Sequence, residues 1–277
     1  SPWGGDLPQY PGMYPSEPFP HFVDDYLAYL HEVLPSYAGL DGVHVHDDLL
    51  EDLSRQALDS HARALSGFLR RLNQIDPSHL SKVERVDHAI LVAGIEARMY
   101  DLEVIRPWER NPRIYAELIG TSLAGQALFA YAPEAERARR VVSKLRQVPR
   151  LVQAARDNVK ECPGIFLKVG LESWRGTLKF IEVDLPRAFS TLDDLHILGD
   201  LADTCGEAAA AVKSYLGYLE EDLAPKAKAS FRLGRDRFEQ KLKLEDGVQV
   251  GSERLLAIAL REIEAVREEF RSVAGRL

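Results

Sequence analysis

His44, His46, Asp47 and Asp48 form the densest set of metal-binding and proton-handling side chains in the sequence. Alternate residues of an extended loop point the same way, so His44 and His46 are spaced to share a metal ion. The plainer reading is a polar loop whose aspartates cap neighbouring turns. The spacing supplies no third ligand. A zinc-protease helix needs two histidines one turn apart, with a glutamate after the first. His31-Glu32 runs into Val33-Leu34-Pro35-Ser36, so the second histidine is missing and Pro35 breaks the helix. A third tract, Trp108-Glu109-Arg110-Asn111 with Tyr115, joins aromatic surface to donors and an acid. Such residues suit a cleft wall that orients a substrate. The plainer reading is a helix–helix corner, with Arg and Asn satisfying exposed helix ends. No Gly-rich phosphate loop is present, and Gly120 and Gly125 stand alone in an apolar stretch. No G-x-S-x-G elbow occurs, and Ser122 and Ser143 have no evident histidine partner. The residues therefore assemble no catalytic site and no assigned metal site.

The elements that must position these residues are helical. Phe22, Tyr26, Tyr29, Leu30 and Val33 recur at three- and four-residue spacing up to Pro35. Ser54 is placed to cap a helix striped by Leu58, Ala62, Leu65, Phe68, Leu69 and Leu72. Ser81-Lys82-Val83-Glu84 is a capping box that opens a long helix ending before Pro107. A helix from Glu134 is expected to kink or restart at Pro149. Further helices are expected over about 165–182, through Leu201 to Leu223, around Phe238 and Leu242, and through Leu255 to Val273. No stretch alternates strictly enough for a strand. The expected fold is all-α, an irregular bundle of about eight to ten helices. Residues 1–21, dense in Pro and Gly, read as an extended arm, with Trp3, Tyr10, Tyr14 and Phe19 suited to docking it. Residues 22–277 read as the helical domain, with a candidate joint near 186–200.

Composition bounds the rest. A chain of 277 residues buries a sizeable core without a metal or disulfide. The net charge of −8 argues against a broad nucleic-acid surface. Two distant cysteines, Cys162 and Cys205, make neither a disulfide framework nor a zinc ribbon. No apolar run approaches the roughly 20 residues of a membrane span. A cytoplasmic setting is slightly favoured. The first residue is Ser1 and not Met, which keeps a secreted or periplasmic origin open.

The order of features resembles the amino-terminal half of a bacterial family, domain of unknown function 885. The matching pieces begin with Leu34-Pro35-Ser36-Tyr37-Ala38 and the Asp-rich stretch from Gly42 to Ser54. Ile75-Asp76-Pro77, Leu80-Ser81 and Arg106-Pro107-Trp108-Glu109-Arg110-Asn111-Pro112 with Tyr115 follow. Leu145 to Val159, Tyr218 to Pro225 and Phe231 to Phe238 complete the series. Phe238 stands where members carry tyrosine, which leaves no hydroxyl there. The resemblance implies a helical zinc peptidase of the carboxypeptidase or oligopeptidase kind. Its metal motif, of the HExxxGH type, belongs to a second half of the protein. This chain would then form the cleft, bind peptide and be inactive alone, with zinc held elsewhere. The positions that carry over as cleft candidates are His46, Asp47, Trp108, Asn111 and Tyr115. The alternative is a stand-alone helical module that binds a peptide or protein through the tract 106–115. Either way the last helix raises a question of partners. Ile263, Val266, Phe270 and Val273 form an apolar stripe at the end of the chain. Earlier helices are expected to cover it. Left bare, it would pair with a catalytic half or drive self-association through residues 255–277.

Overall fold

The computed structural model describes residues 18–276. The docking expected of Trp3, Tyr10 and Tyr14 lies outside them. The described residues form an all-α fold with no strand, only an isolated bridge between Pro163 and Lys228. Ten of the helices are six residues or longer. They are α1 (Phe19–Val33), α2 (Pro35–Leu40), α3 (Arg55–Asn73), α4 (Lys82–Tyr100), α6 (Arg113–Leu128), α7 (Glu134–Asn158), α8 (Gly164–Lys179), α10 (Leu195–Tyr218), α11 (Arg235–Asp246) and α12 (Ser252–Ala274). Two four-residue turns of helix, α5 (Pro107–Arg110) and α9 (Leu185–Ala188), lie between them. The arm expected through residue 21 ends earlier. Phe19–His21 already belong to α1, because Phe19 is buried against the helices that follow.

The caps read from the sequence form as chemistry dictates. Ser54 Oγ accepts the Ala57 amide, which satisfies one of the bare donors at the start of α3. Ser81 Oγ accepts from the Glu84 amide at 3.3 Å, and Glu84 Oε2 accepts from the Ser81 amide at 2.9 Å. At Pro149, where a kink or restart is expected, α7 continues without a restart. Proline removes one amide donor there. Val148 and Leu151 are almost fully buried on either side, and their packing holds the helix across the gap.

The core has two clusters. The smaller joins α1, α3 and α4 through Phe22, Tyr26, Leu65, Leu72 and Ile95. The larger joins α6, α7, α8 and α10, with Trp174, Tyr115, Leu145 and Tyr215 at its centre. Burying one such side chain contributes about 1.5–3 kcal/mol. Helix α8 approaches the start of α6 closely at Gly170, where a Cβ would stand 2.7 Å from Pro112 Cγ. Trp174 Nε1 donates to the Pro112 carbonyl at 2.9 Å and fixes the same crossing.

Candidate functional site

Two elements meet over α7 and leave a cavity between them and it. Helix α2 and the loop after it form one side, with Gly42 at φ 85° turning the chain. The carboxy-terminal end of α6 and the segment to Tyr131 form another, and α7 supplies the floor. The cavity holds about 310 Å³ and is lined by Ser36, Gly39, His44, Asp47, Ser122, Gln126, Tyr131 and Lys144 among others. That volume lies at the small end of the range of about 300–1,000 Å³ for ligand pockets.

Asp47 is the hub. Its side chain is 1% exposed. Oδ2 accepts from Arg140 Nη1 at 2.8 Å and lies 2.8 Å from His44 Nδ1. Oδ1 is buried without a hydrogen-bonding partner. The His44 ring stacks flat on Tyr131, with centroids 3.8 Å apart. The Tyr131 hydroxyl donates to Gln126 Oε1 and accepts from Arg140 Nη1 at 3.2 Å. Burial acts to raise the Asp47 pKa. The polar groups around it, Tyr131, Gln126 and His44, outweigh burial and hold the carboxyl below its ordinary value. The group is therefore a carboxylate at neutral pH.

Lys144 lies almost fully buried on α7. Its Nζ donates to the Ser122 carbonyl at 3.3 Å. Burial lowers its pKa, and the fields of Asp47, Glu51 and Asp48 oppose the fall. Glu51 sits behind it. Its Oε1 accepts the Ser36 amide at 2.9 Å and its Oε2 the Ser36 hydroxyl at 2.7 Å. Burial raises the Glu51 pKa against those bonds and against Lys144. Ser122 Oγ is buried and has no partner. The pocket thus combines a carboxylate with one oxygen unpaired, an ammonium that makes one hydrogen bond and a free hydroxyl. Such groups bind and orient a polar ligand.

The five cleft candidates fall into two places. Asp47 lines this cavity. His46 is half-buried beside it, its carbonyl accepting the Leu49 amide, and it does not join His44 on a common atom. Trp108, Asn111 and Tyr115 build a corner elsewhere. Arg106 takes φ 55° there, the one described non-glycine residue in the left-handed region, which carries strain of about 1–3 kcal/mol. The turn is held by an Arg106–Glu109 ion pair at 2.8 Å and by Arg106 and Arg55 packed over the Trp108 ring. Trp108 Nε1 donates to the Leu102 carbonyl at 2.9 Å. The Tyr115 hydroxyl donates to the Trp108 carbonyl at 2.7 Å and accepts from Asn158 Nδ2 at 3.0 Å. Asn111 Oδ1 accepts the Arg113 amide at the start of α6. Trp108 lines a separate, shallower depression with His61 and Arg98.

Tyr131, Arg140, Lys144 and Ser122 carry the pocket and were not singled out as ligands from sequence. One signal was available: Lys144 interrupts the apolar stripe of Val141, Leu145 and Val148. The residues do not fit zinc. Asp47 Oδ2 is taken by His44 and Arg140, and no three His, Cys, Asp or Glu side chains converge among the described residues.

Comparison with known proteins follows the same outline. The sequence pattern of a bacterial family of unknown function, domain of unknown function 885, matches residues 35–277. The chain belongs to that family. The fold is similar to a solved structure from Shewanella oneidensis, described as a candidate lipoprotein of unknown function. The TM-score is 0.80 at 19% identity, over 94% of this chain and 48% of that one. That likeness establishes the fold of the family member described here. The chain spans about half the length of the Shewanella protein. No curated protein matches it.

Proposed function

We propose that this chain is the cleft-forming, peptide-binding unit of a larger metallopeptidase-like protein. The observation that carries the binding role is the pocket beside α7. Asp47 Oδ1 and Ser122 Oγ are buried there without partners, next to the buried ammonium of Lys144. Leaving buried polar groups unpaired costs about 1–3 kcal/mol each. A ligand that pairs them recovers that cost. The peptidase assignment rests on the resemblance in motif order alone. In this reading the zinc and its water-activating chemistry belong to residues outside 1–277. The description of the Shewanella protein as a candidate lipoprotein supports an envelope location over a cytoplasmic one. No helix among the described residues is long and apolar enough to cross a membrane. A groove along the tract 106–115 has less support, since Trp108, Asn111 and Tyr115 spend their polar atoms on backbone partners.

Calorimetric titration of the 277-residue chain with short peptides tests this reading. Saturable binding at one site is expected, together with no peptide cleavage in the presence of added zinc. Stoichiometric zinc uptake with cleavage by this chain alone would overturn it.

A further inference from the structure

The charges in the pocket specify more than polarity. Lys144 carries three donor protons and spends one, on the Ser122 carbonyl. Asp47 holds its negative charge with Oδ2 occupied and Oδ1 free. The two groups line one cavity and make no ion pair with each other. Arg140 already pairs with Asp47 Oδ2, so what Asp47 lacks is a donor at Oδ1, while a neutral ligand leaves the Lys144 ammonium without a counter-ion. A ligand with one charge meets only one of the two groups with an opposite charge. We propose that the pocket recognises a zwitterion of free amino-acid type, an amino acid or dipeptide whose α-ammonium meets Asp47 and whose carboxylate meets Lys144 and the Ser122 hydroxyl. This rests on the peptide-binding reading above and narrows it to ligands with both ends free.

The shape of the pocket agrees. Gly39 lies so close to Asp47 that a Cβ would stand 2.8 Å from Oδ1, so the missing side chain leaves room beside that buried oxygen. Gly125 faces open space on the opposite wall, with nothing within 4 Å of where its Cβ would be. Leu40 and Phe129 line the cavity yet are more than half exposed, which places apolar surface at its mouth for a ligand side chain.

The test uses the unmodified chain and five probes: leucine, leucyl-leucine, N-acetylleucine, leucinamide and N-acetylleucinamide. Leucine or the dipeptide should bind at one site. Each singly blocked form should bind at least about tenfold more weakly, the loss expected when a charge-assisted hydrogen bond is removed. The doubly blocked form should give no heat. Lys144→Met should abolish the difference between leucine and leucinamide, and Asp47→Asn that between leucine and N-acetylleucine. Gly39→Ala sets a methyl against Oδ1 without changing any charge. It should abolish binding while thermal unfolding shows a folded chain, which keeps the test decisive should Asp47→Asn fail to fold. Blocked probes that bind as tightly as free ones would overturn the zwitterion and leave peptide binding standing. No heat from any probe or from longer peptides would overturn both.

Discussion

Helices α7 and α12 carry apolar stripes of similar clarity and meet opposite fates. On α7, Ala138, Val141, Leu145, Val148, Leu151 and Ala155 are nearly or wholly buried against α6 and α10. On α12, Leu256, Leu260, Ile263, Val266, Phe270 and Val273 are all exposed, from 47% for Ile263 to 73% for Phe270. The sequence expectation that earlier helices cover this stripe is therefore not met. Side-chain bonds tie helix α12 at its root. Glu239 Oε1 on α11 accepts the Ser252 amide at 2.8 Å and its hydroxyl at 2.6 Å, and Arg235 pairs with Glu253. The difference teaches what periodicity measures. A stripe states that a helix needs a partner. It does not state where that partner lies.

The sharpest way to break the comparison is to truncate one residue on each helix. Leu145→Ala removes a side chain with no exposed surface, and a drop of about 2–5 kcal/mol in unfolding free energy is expected from the lost burial and the cavity. Phe270→Ala should stay within about 0.5 kcal/mol, as exposed sites do. Denaturant unfolding of the two variants under dilute conditions measures both. Equal losses would show that α12 is as well packed as α7.

A second expectation concerns the smaller cluster and carries a definite sign. Burial, with Arg98 adding to it, draws the His61 pKa down to about 4. The unfolded chain has the ordinary value near 6.5. Between those values the unfolded state binds a proton that the folded state refuses, so stability falls as pH drops from about 6.5 to about 4 and levels off below. The Tyr29 hydroxyl lies 2.6 Å from His61 Nδ1, an acceptor only in the neutral ring. His61→Gln should flatten this part of the curve of melting temperature against pH. The α12 substitutions should leave its slope unchanged.

A smaller effect belongs to the cap of α4. Ser81→Ala should cost about 1 kcal/mol, because it removes the Oγ that accepts the Glu84 amide while the Ser81 amide keeps its bond to Glu84. Its legibility in the sequence is instructive. A cap is local: four adjacent residues contain the whole interaction. The helices and their stripes were legible for the same reason. The pocket was not. Asp47 stood out by its neighbours, but its partners Arg140 and Tyr131 lie more than 80 positions away, and only packing of the loop against α7 unites them. Lys144 was hidden because a lysine on a helix usually faces water. At Trp108, Asn111 and Tyr115 the residue types suit a cleft, and the structure engages their polar atoms in closing a corner. Residue type states which bonds a side chain is able to make, and the fold decides which of them are already made.

The last expectation follows from the bare stripe of α12. Leu256, Ala259, Ile263, Val266, Phe270 and Val273 are spaced alternately three and four residues apart, which is the seam of a two-stranded coil. Glu262 and Arg267 flank that seam five positions apart, the spacing at which opposite charges meet across parallel copies. Exposed apolar surface of this extent drives association. The 277-residue chain should therefore self-associate through residues 255–277, with sedimentation showing a mass that rises with concentration. Val266→Gln with Phe270→Glu should give a monomer, since both side chains leave the middle of the seam. Circular dichroism should show unchanged helicity, because neither position supports the core of the monomer. A chain that stays monomeric at high concentration would remove the second copy as the partner of this face and leave another polypeptide to cover it. A double variant that unfolds would mean that the stripe packs within the chain in solution, and the contrast between α7 and α12 would then disappear.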